Sequence, residues 1–358
     1  MRVITPEDFK DSYIKIAQRG YKFLAGKFTF SAIQRTRSSF NDAAIESANW
    51  WIVPMVRERW NFLKTGNSSI GYEEYVTNRF SELPAYPPPT IDIEKEADHI
   101  PSTDTTVVAD ASPLSGLQQP VARMISIGSG VCSHELQFAR LNPHWEITCI
   151  DFSEKLLQEA EKIAKHEGLT NLRFLPVDLY THPFPENHYH FVLFNASLHH
   201  FSQMNSFIEK IHRLLVPGGH LIIDEYVGSN RLQYSRNQLK AINECLQLID
   251  KDCRRIFKTS FYKKHYYGSG ILRMIIADPS ECVESEHILP AIHRHFEVVE
   301  EKGYGGNLLM PVLKDISHHF VQPDEGQQKI LNRLFAYEDA YLKNNPSDFV
   351  FGIYKKEE

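Results

Sequence analysis

Between residues 121 and 227, five short apolar runs are separated by stretches of helical period: VARMISI (121–127), WEITCI (145–150), LRFLPV (172–177), HFVLFN (190–195) and HLIIDEYV (220–227). Runs that are apolar throughout, rather than alternating, suit strands covered on both faces, and the intervening helices supply the covers. The pattern predicts βαβ units and a mostly parallel sheet. In SEKLLQEAEKIAKHEG, the residues Leu156, Leu157, Ala160, Ile163 and Ala164 fall on one helical face. Gly168 stands where a left-handed cap is expected. MNSFIEKIHRLL reads as a second amphipathic helix, stopped by Pro217-Gly218-Gly219.

Outside this block the composition shifts. Residues 1–83 read as a helical, aromatic-rich region whose longest candidate helix, NDAAIESANWWIVPMVRERWNFL, is bent or ended near Pro54. Residues 84–120 hold seven prolines and no helical period, the mark of a linker. Residues 121–358 form the main domain, with largely helical insertions at 229–280 and 303–346 and two closing strands, FEVVEEKGY and DFVFGIYKK, that read as an antiparallel hairpin.

The chain carries 39 basic and 45 acidic residues without a dominating basic block, which disfavours a nucleic-acid partner held by phosphate charge. Five cysteines with no C-x-x-C pair suggest reduced thiols, and no long uncharged apolar run suggests a membrane span, so a cytoplasmic protein is expected. The seventeen histidines show no metal-ligand spacing, and no metal is expected.

Chemistry is expected at the carboxyl ends of the strands, where open α/β sheets bind ligands. The first strand runs into Gly128-Ser129-Gly130, a turn that lets backbone approach an anionic or polar group. Asp151 ends the second strand about 20 residues later, placed to accept hydrogen bonds from a ribose diol. Its plainer role is to cap the helix that begins near Ser153. Asp178 follows the third strand, as an adenine-amine acceptor or as a turn residue, and Asn195 and Ala196 end the fourth. A glycine turn with an acidic residue fits either a nicotinamide or flavin dinucleotide or S-adenosylmethionine. A dinucleotide fold needs a second mononucleotide-binding half, whereas insertions and two terminal strands follow here.

The segments ISIGSGVCSHE, CIDFSEKLLQEA, LRFLPVDLY, YHFVLFNASLHHF and IHRLLVPGGHLIIDE together resemble the class I S-adenosylmethionine-dependent methyltransferases. The resemblance implies a doubly wound, seven-stranded, mostly parallel Rossmann-like sheet with an antiparallel C-terminal hairpin, here with an added helical lid. It implies S-adenosyl-L-methionine as cofactor and S-adenosyl-L-homocysteine as product. Gly128, Ser129 and Gly130 would face the methionine part, and Asp151 the ribose. Phe152 would border adenine, Asp178 and Leu179 its amine, and Asn195 and Ala196 the amino-acid portion. The turn departs from the family's most frequent form at Ser126, a position often acidic, and at Cys132, in place of a third glycine. Asn195-Ala196-Ser197-Leu198-His199-His200 lacks the Asn/Asp-Pro-Pro-aromatic motif of base- and glutamine-directed enzymes and is similar to small-molecule enzymes.

The expected activity is methyl transfer to oxygen or nitrogen of a small-molecule or peptide-like acceptor. His200, with His199 beside it, is the candidate general base. Tyr21, Glu225, Tyr267 and Tyr304 are candidate acceptor-binding residues, and Asp224 stands beside Glu225 at a strand end facing the cleft. An NAD(P)-dependent oxidoreductase and a non-catalytic methyltransferase-like binding module are the alternatives.

Overall fold

The computed structural model describes residues 2–10, 49–81 and 122–357. The candidate acceptor residue Tyr21, the first part of the long N-terminal helix and the Pro-rich linker lie outside the described residues. Seven strands form one sheet in the order β3-β2-β1-β4-β5-β7-β6. They are β1 (Ala122–Ile127), β2 (Trp145–Ile150), β3 (Leu172–Leu175), β4 (Tyr189–Asn195), β5 (Leu215–Tyr226), β6 (Glu297–Gly305) and β7 (Phe349–Lys355). Strands β1 to β5 are parallel, and β7 runs antiparallel to both its neighbours, β5 and β6. The C-terminal antiparallel pair expected from sequence is therefore present, with β7 slotted between β5 and β6.

The two apolar faces explain why the strand runs do not alternate. On one face, Met124, Ile147, Phe191 and Ile222 pack against α3 (Ser133–Leu141) and α4 (Glu154–Glu167). On the other, Ile125, Val192 and Ile223 pack against α5 (Met204–Leu214) and α8 (Ile288–His295). Gly168 caps α4 in the left-handed conformation at φ 69°. Two sequence expectations need correction. Ile163 is 44% exposed, because the buried stripe of α4 is narrower and is completed by Leu156, Leu157, Ala160 and Ala164. Pro217-Gly218-Gly219 lies inside β5, which begins at Leu215 and pairs Leu215 with Tyr189 across an irregularity in the register. Strand pairing begins as soon as α5 ends, so the Pro-Gly-Gly bends a strand instead of closing a helix.

Pro54 does not bend a helix but starts one, standing at the first turn of α1 (Pro54–Thr65), where its missing N–H costs nothing. α1 is followed by α2 (Tyr72–Arg79). Trp50, Val53 and Val56 share a separate apolar cluster with α6 (Arg236–Gln247), α9 (Leu309–Leu313) and α10 (Glu325–Leu342). α2 instead joins the sheet through Tyr72, Val76 and Phe80. The N-terminal residues are tied to the 268–273 segment, where Asp8 Oδ1 accepts from the Gly270 N–H at 2.8 Å and from Arg273 Nε at 3.0 Å. That segment leads into α7 (Ile271–Ala277). Among the described residues no helix is long and apolar enough to cross a membrane.

Asp348 joins the inserted helices to the sheet. Its carboxylate accepts from Gln238 Nε2 at 2.7 Å, its N–H donates to Asn307 Oδ1 at 2.9 Å, and its carbonyl accepts from the Val227 N–H at 2.8 Å. Burial pushes its pKa up to about 7, against the Gln238 hydrogen bond. A carboxyl whose folded pKa exceeds the unfolded value stabilises fully below the unfolded value, and that contribution is lost as pH rises through the folded one. Wild-type stability is therefore expected to fall between about pH 4 and about 7 relative to Asp348→Asn. Denaturant titrations of both proteins across that range check this, and parallel pH profiles would contradict it.

Candidate active site

The turn after β1 holds Gly128 at φ 71° and Gly130 at φ 54°. The N–H groups of Gly128 and Ser129 donate to the Ile150 carbonyl at 2.8 and 3.0 Å, which locks the turn onto β2. A Cβ on Gly128 would stand 2.7 Å from the Ser197 Cβ, whereas one on Gly130 would meet nothing within 4 Å. The first glycine is required by packing, and the second fronts open space.

Asp151 is 3% exposed, and each of its carboxylate oxygens already holds a backbone N–H. Its Oδ2 accepts from the Gly130 N–H at 2.9 Å and its Oδ1 from the Ser153 N–H at 2.7 Å, at the start of α4. Burial raises its pKa, and the two N–H donors oppose the rise. Each carboxylate oxygen keeps capacity for a further donor, so this arrangement fits a ribose diol and fixes the acid that would hold it. Phe152, half-buried, sits between these contacts.

The two departures in the glycine turn have local answers. Ser126 donates to Glu135 Oε1 at 2.5 Å, so α3 returns a buried carboxylate to the position where the family often has one. Burial raises the Glu135 pKa, which His134 and the Ser126 hydrogen bond partly offset. Cys132 adopts φ 55°, a left-handed conformation that a glycine would hold without strain.

Asn195 Nδ2 donates to the Tyr72 hydroxyl at 2.7 Å, linking the end of β4 to α2. Ala196 is exposed with φ 47°, and its N–H donates to the Asp224 carbonyl at 2.8 Å. Non-glycine residues at positive φ at a strand end are held there by their surroundings, here by that bond and by Ser197. Asp178 is exposed three residues beyond β3, and its Oδ1 accepts from the Tyr180 N–H at 2.9 Å, the geometry of a turn aspartate. Leu179 beside it is buried, with its carbonyl accepting from Lys210 Nζ at 2.5 Å.

Glu225 does not face the cleft as a free acceptor ligand. It is 0% exposed and receives the N–H groups of Ser197 (2.8 Å), Leu198 (2.6 Å) and Tyr226 (2.7 Å), together with His199 Nδ1. Burial opposes the charged form of His199, yet the Glu225 carboxylate raises its pKa to about 9. His200 is pushed the other way, by burial and then by the neighbouring His199 charge. Its Nδ1 meets Ser280 Oγ at 3.0 Å. Tyr267 is 44% exposed, with its N–H near Glu7 and its ring against His265. Its contacts lie with the N-terminal segment instead of the strand ends.

Tyr304 is buried, and its hydroxyl donates to Asp224 Oδ1 at 2.6 Å. The other Asp224 oxygen meets Lys64 Nζ, from the last turn of α1, at 2.5 Å. The ammonium lies 4.0 Å from the Tyr304 ring centroid and 5.7 Å from that of Tyr72. On α2, Glu73 Oε1 contacts His134 Nδ1 at 2.5 Å and raises the His134 pKa against its burial. Sequence reasoning missed Lys64, Tyr72 and His134, because the only signal was the aromatic content of the first region and their roles depend on long-range packing.

Sequence spacing also hid two clusters of ligand-type atoms, His199 with Glu281 and Cys282, and His200 with Asp278 and Glu281. Each set gathers within 4.8 Å, and the acidic and thiol members come from a segment about 80 residues away.

Residues 119–294 match a family model described as a methyltransferase domain. A demethylmenaquinone methyltransferase of Thermus thermophilus is 26% identical over 110 residues, covering 31% of this chain and 50% of that protein. The ubiquinone/menaquinone biosynthesis C-methyltransferase UbiE of Azotobacter vinelandii is 28% identical over 115 residues, covering 32% and 45%. The chain thus spans about half the length of the curated relatives it matches. Among solved structures, the phosphoethanolamine N-methyltransferase 2 of Haemonchus contortus in complex with S-adenosyl-L-methionine has a TM-score of 0.43 at 16% identity, covering 68% of this chain and 50% of that one.

Two variants probe the geometry. Removing the amine in Lys64→Ala leaves a buried carboxylate uncompensated and is expected to cost about 3–5 kcal/mol in denaturant unfolding. The double change Lys64→Met with Asp224→Asn should recover part of that loss. Gly128→Ala must displace Ser197, and S-adenosylhomocysteine affinity measured by calorimetry is expected to fall about tenfold or more while the far-ultraviolet spectrum stays native.

Proposed function

We propose that this chain, which belongs through residues 119–294 to the class I S-adenosylmethionine-dependent methyltransferase family, moves a methyl group to an oxygen or nitrogen of a small-molecule or peptide-like acceptor. The observation that carries the reading is the meeting of the ends of β1, β2, β4 and β5 around the Gly128–Gly130 turn. There Asp151 binds the Gly130 N–H and Ser197 binds the Ile127 carbonyl at 2.7 Å. The reversed β7 stands where a dinucleotide enzyme would need its second parallel half, which favours an adenosyl cofactor over NAD(P).

Gly128, Ser129 and Gly130 would hold the methionine end of the cofactor, Asp151 its ribose, and Phe152 with Asp178 and Leu179 its adenine. Asn195 and Ala196 would border the amino-acid portion. When bound, the cofactor supplies an electrophilic methyl group on a sulfonium. The protein's work is to align an acceptor with it and exclude water. Residues 1–83 act as a lid over the domain at 121–358, joined to it by the 84–120 linker. Lys64 and Tyr72 are the lid groups that reach the strand ends, where Tyr304 completes the acceptor wall. His200, kept neutral beside a charged His199, is suited to accept an acceptor proton. Glu225 acts by positioning His199.

Carbon methylation is the second reading, favoured by the C-methyltransferase among the relatives. Incubating the protein with deuteromethyl-labelled cofactor and a metabolite extract, followed by mass spectrometry, is expected to yield a labelled product whose fragments locate the methyl group. S-adenosylhomocysteine should bind and NADH should not, with Asp151→Ala weakening binding about tenfold or more by loss of charge-assisted hydrogen bonds. NADH binding in place of S-adenosylhomocysteine would make the chain an oxidoreductase, and binding without any labelled product would make it a binding module.

A further inference from the structure

We propose that His199, Glu281 and Cys282 form a binding site for a zinc-class divalent cation at the edge of the proposed active site. The three ligand atoms lie within 4.8 Å of one another, with His199 Nε2 at 3.9 Å and Cys282 Sγ at 3.4 Å from Glu281 Oε1. Ligands around a tetrahedral zinc, at bond lengths of about 2.0–2.3 Å, stand roughly 3.3–3.5 Å apart, a spacing that Cys282 and Glu281 already have and that His199 and Glu281 exceed by about 0.4 Å. Glu281 is half-buried while His199 and Cys282 are buried, so the set opens toward solvent on its Glu281 side.

Three further observations favour a cation over a mere polar cluster. First, Glu225 holds His199 Nδ1, the carboxylate–histidine arrangement that orients metal-binding imidazoles, so a bound zinc would take the place of the proton that Nε2 carries in the metal-free chain. Second, backbone bonds fix the two segments on each other. The Val283 N–H donates to the His199 carbonyl at 3.2 Å, and the Arg231 N–H donates to the Cys282 carbonyl at 2.6 Å. Third, Cys282 is held at φ 48°, a strained conformation for a non-glycine residue that places its thiol beside Glu281. Imidazole, carboxylate and thiolate together suit zinc far better than magnesium or calcium, which favour oxygen ligands alone. With three protein ligands, a fourth position stays open, as in zinc sites that act on a bound group.

Through Glu225 and Ser197 the site is two side chains from Gly128. Resting on the methyltransferase reading, the open position would take an acceptor hydroxyl or thiol and hold it near His200, whose Nε2 faces the second Glu281 oxygen at 3.9 Å.

The test is metal binding by the untagged full chain, stripped with chelator and titrated with Zn²⁺, then with Mg²⁺, without any cofactor. About one zinc per chain is expected, with magnesium not competing at millimolar concentration. Cys282→Ser and Glu281→Gln should each weaken zinc binding by about tenfold or more, and a cobalt-loaded wild type should show a thiolate charge-transfer band absent from Cys282→Ser. No stoichiometric zinc, or variants that bind as wild type while folded by circular dichroism, would overturn the site. Loss of zinc in His200→Ala with retention in Cys282→Ser would assign it to the His200–Asp278–Glu281 set and overturn this one. A zinc-loaded protein without labelled methyl product would leave the site standing and refute only the methyl-transfer reading.

Discussion

A carboxylate with no access to water must have its charge answered by protein donors, and Glu225 is such a group. Three backbone N–H groups and one imidazole meet it, from Ser197, Leu198, Tyr226 and His199. Those bonds force the chain after β4 to fold back over the end of β5. The fold-back sets Ser197 against Gly128 and delivers its hydroxyl to the Ile127 carbonyl. The glycine turn, the β4 end and the two histidines therefore take their positions from one buried charge. Replacing it by an apolar side chain would leave three N–H groups without this acceptor at once.

A second buried charge sits on the opposite wall. Asp224 is adjacent to Glu225 on β5, so its side chain points to the other face of the sheet, where Lys64 and Tyr304 meet it. A buried ion pair stabilises little compared with an apolar replacement, but removing one member is costly. The pair therefore works as a register pin that admits α1 only when the Lys64 ammonium reaches the strand end. Tyr72 adds a neutral bond to Asn195, and Glu73 a charge-assisted contact to His134, so three contacts from two helices fix α1 and α2 to the strand ends and α3. Trp50, Val53 and Val56 pack with α6, α9 and α10, so the insertions far along the sequence hold the start of α1 as well.

The sheet was legible because its signal is local. Val192, Leu193 and Phe194 are buried on both faces, and a run of such residues needs no knowledge of its neighbours to be recognised. The glycine turn and Asp151 were legible for the same reason, their spacing being set by one βαβ unit. Ile163 was misread because a helical wheel assigns a face but not how wide the covered stripe is. Pro217-Gly218-Gly219 was misread because those residues stop a helix and also bend a strand, and only the pairing of Leu215 with Tyr189 decides between them. Glu225 looked like a ligand-facing acid, since sequence gives the strand end but not which donors converge on it. Lys64, Tyr72 and the Glu281–Cys282 pair were invisible because each meets its counterpart only after segments far apart in sequence have packed.

The two adjacent histidines illustrate how such packing divides chemistry between identical side chains. Their rings lie 4.2 Å apart, too close for both to carry a proton without repulsion. Glu225 decides which one does, by binding Nδ1 of His199 and leaving His200 with a serine hydroxyl. Charge on His199 then lowers the basicity of His200 further. Environments that push two like groups apart in pKa separate a proton holder from a proton acceptor, a division that enzymes exploit near neutral pH. The sequence His199-His200 alone carries no such asymmetry. It arises from a carboxylate one strand away, and the same carboxylate that seats the backbone also sets the chemistry of the residues it seats.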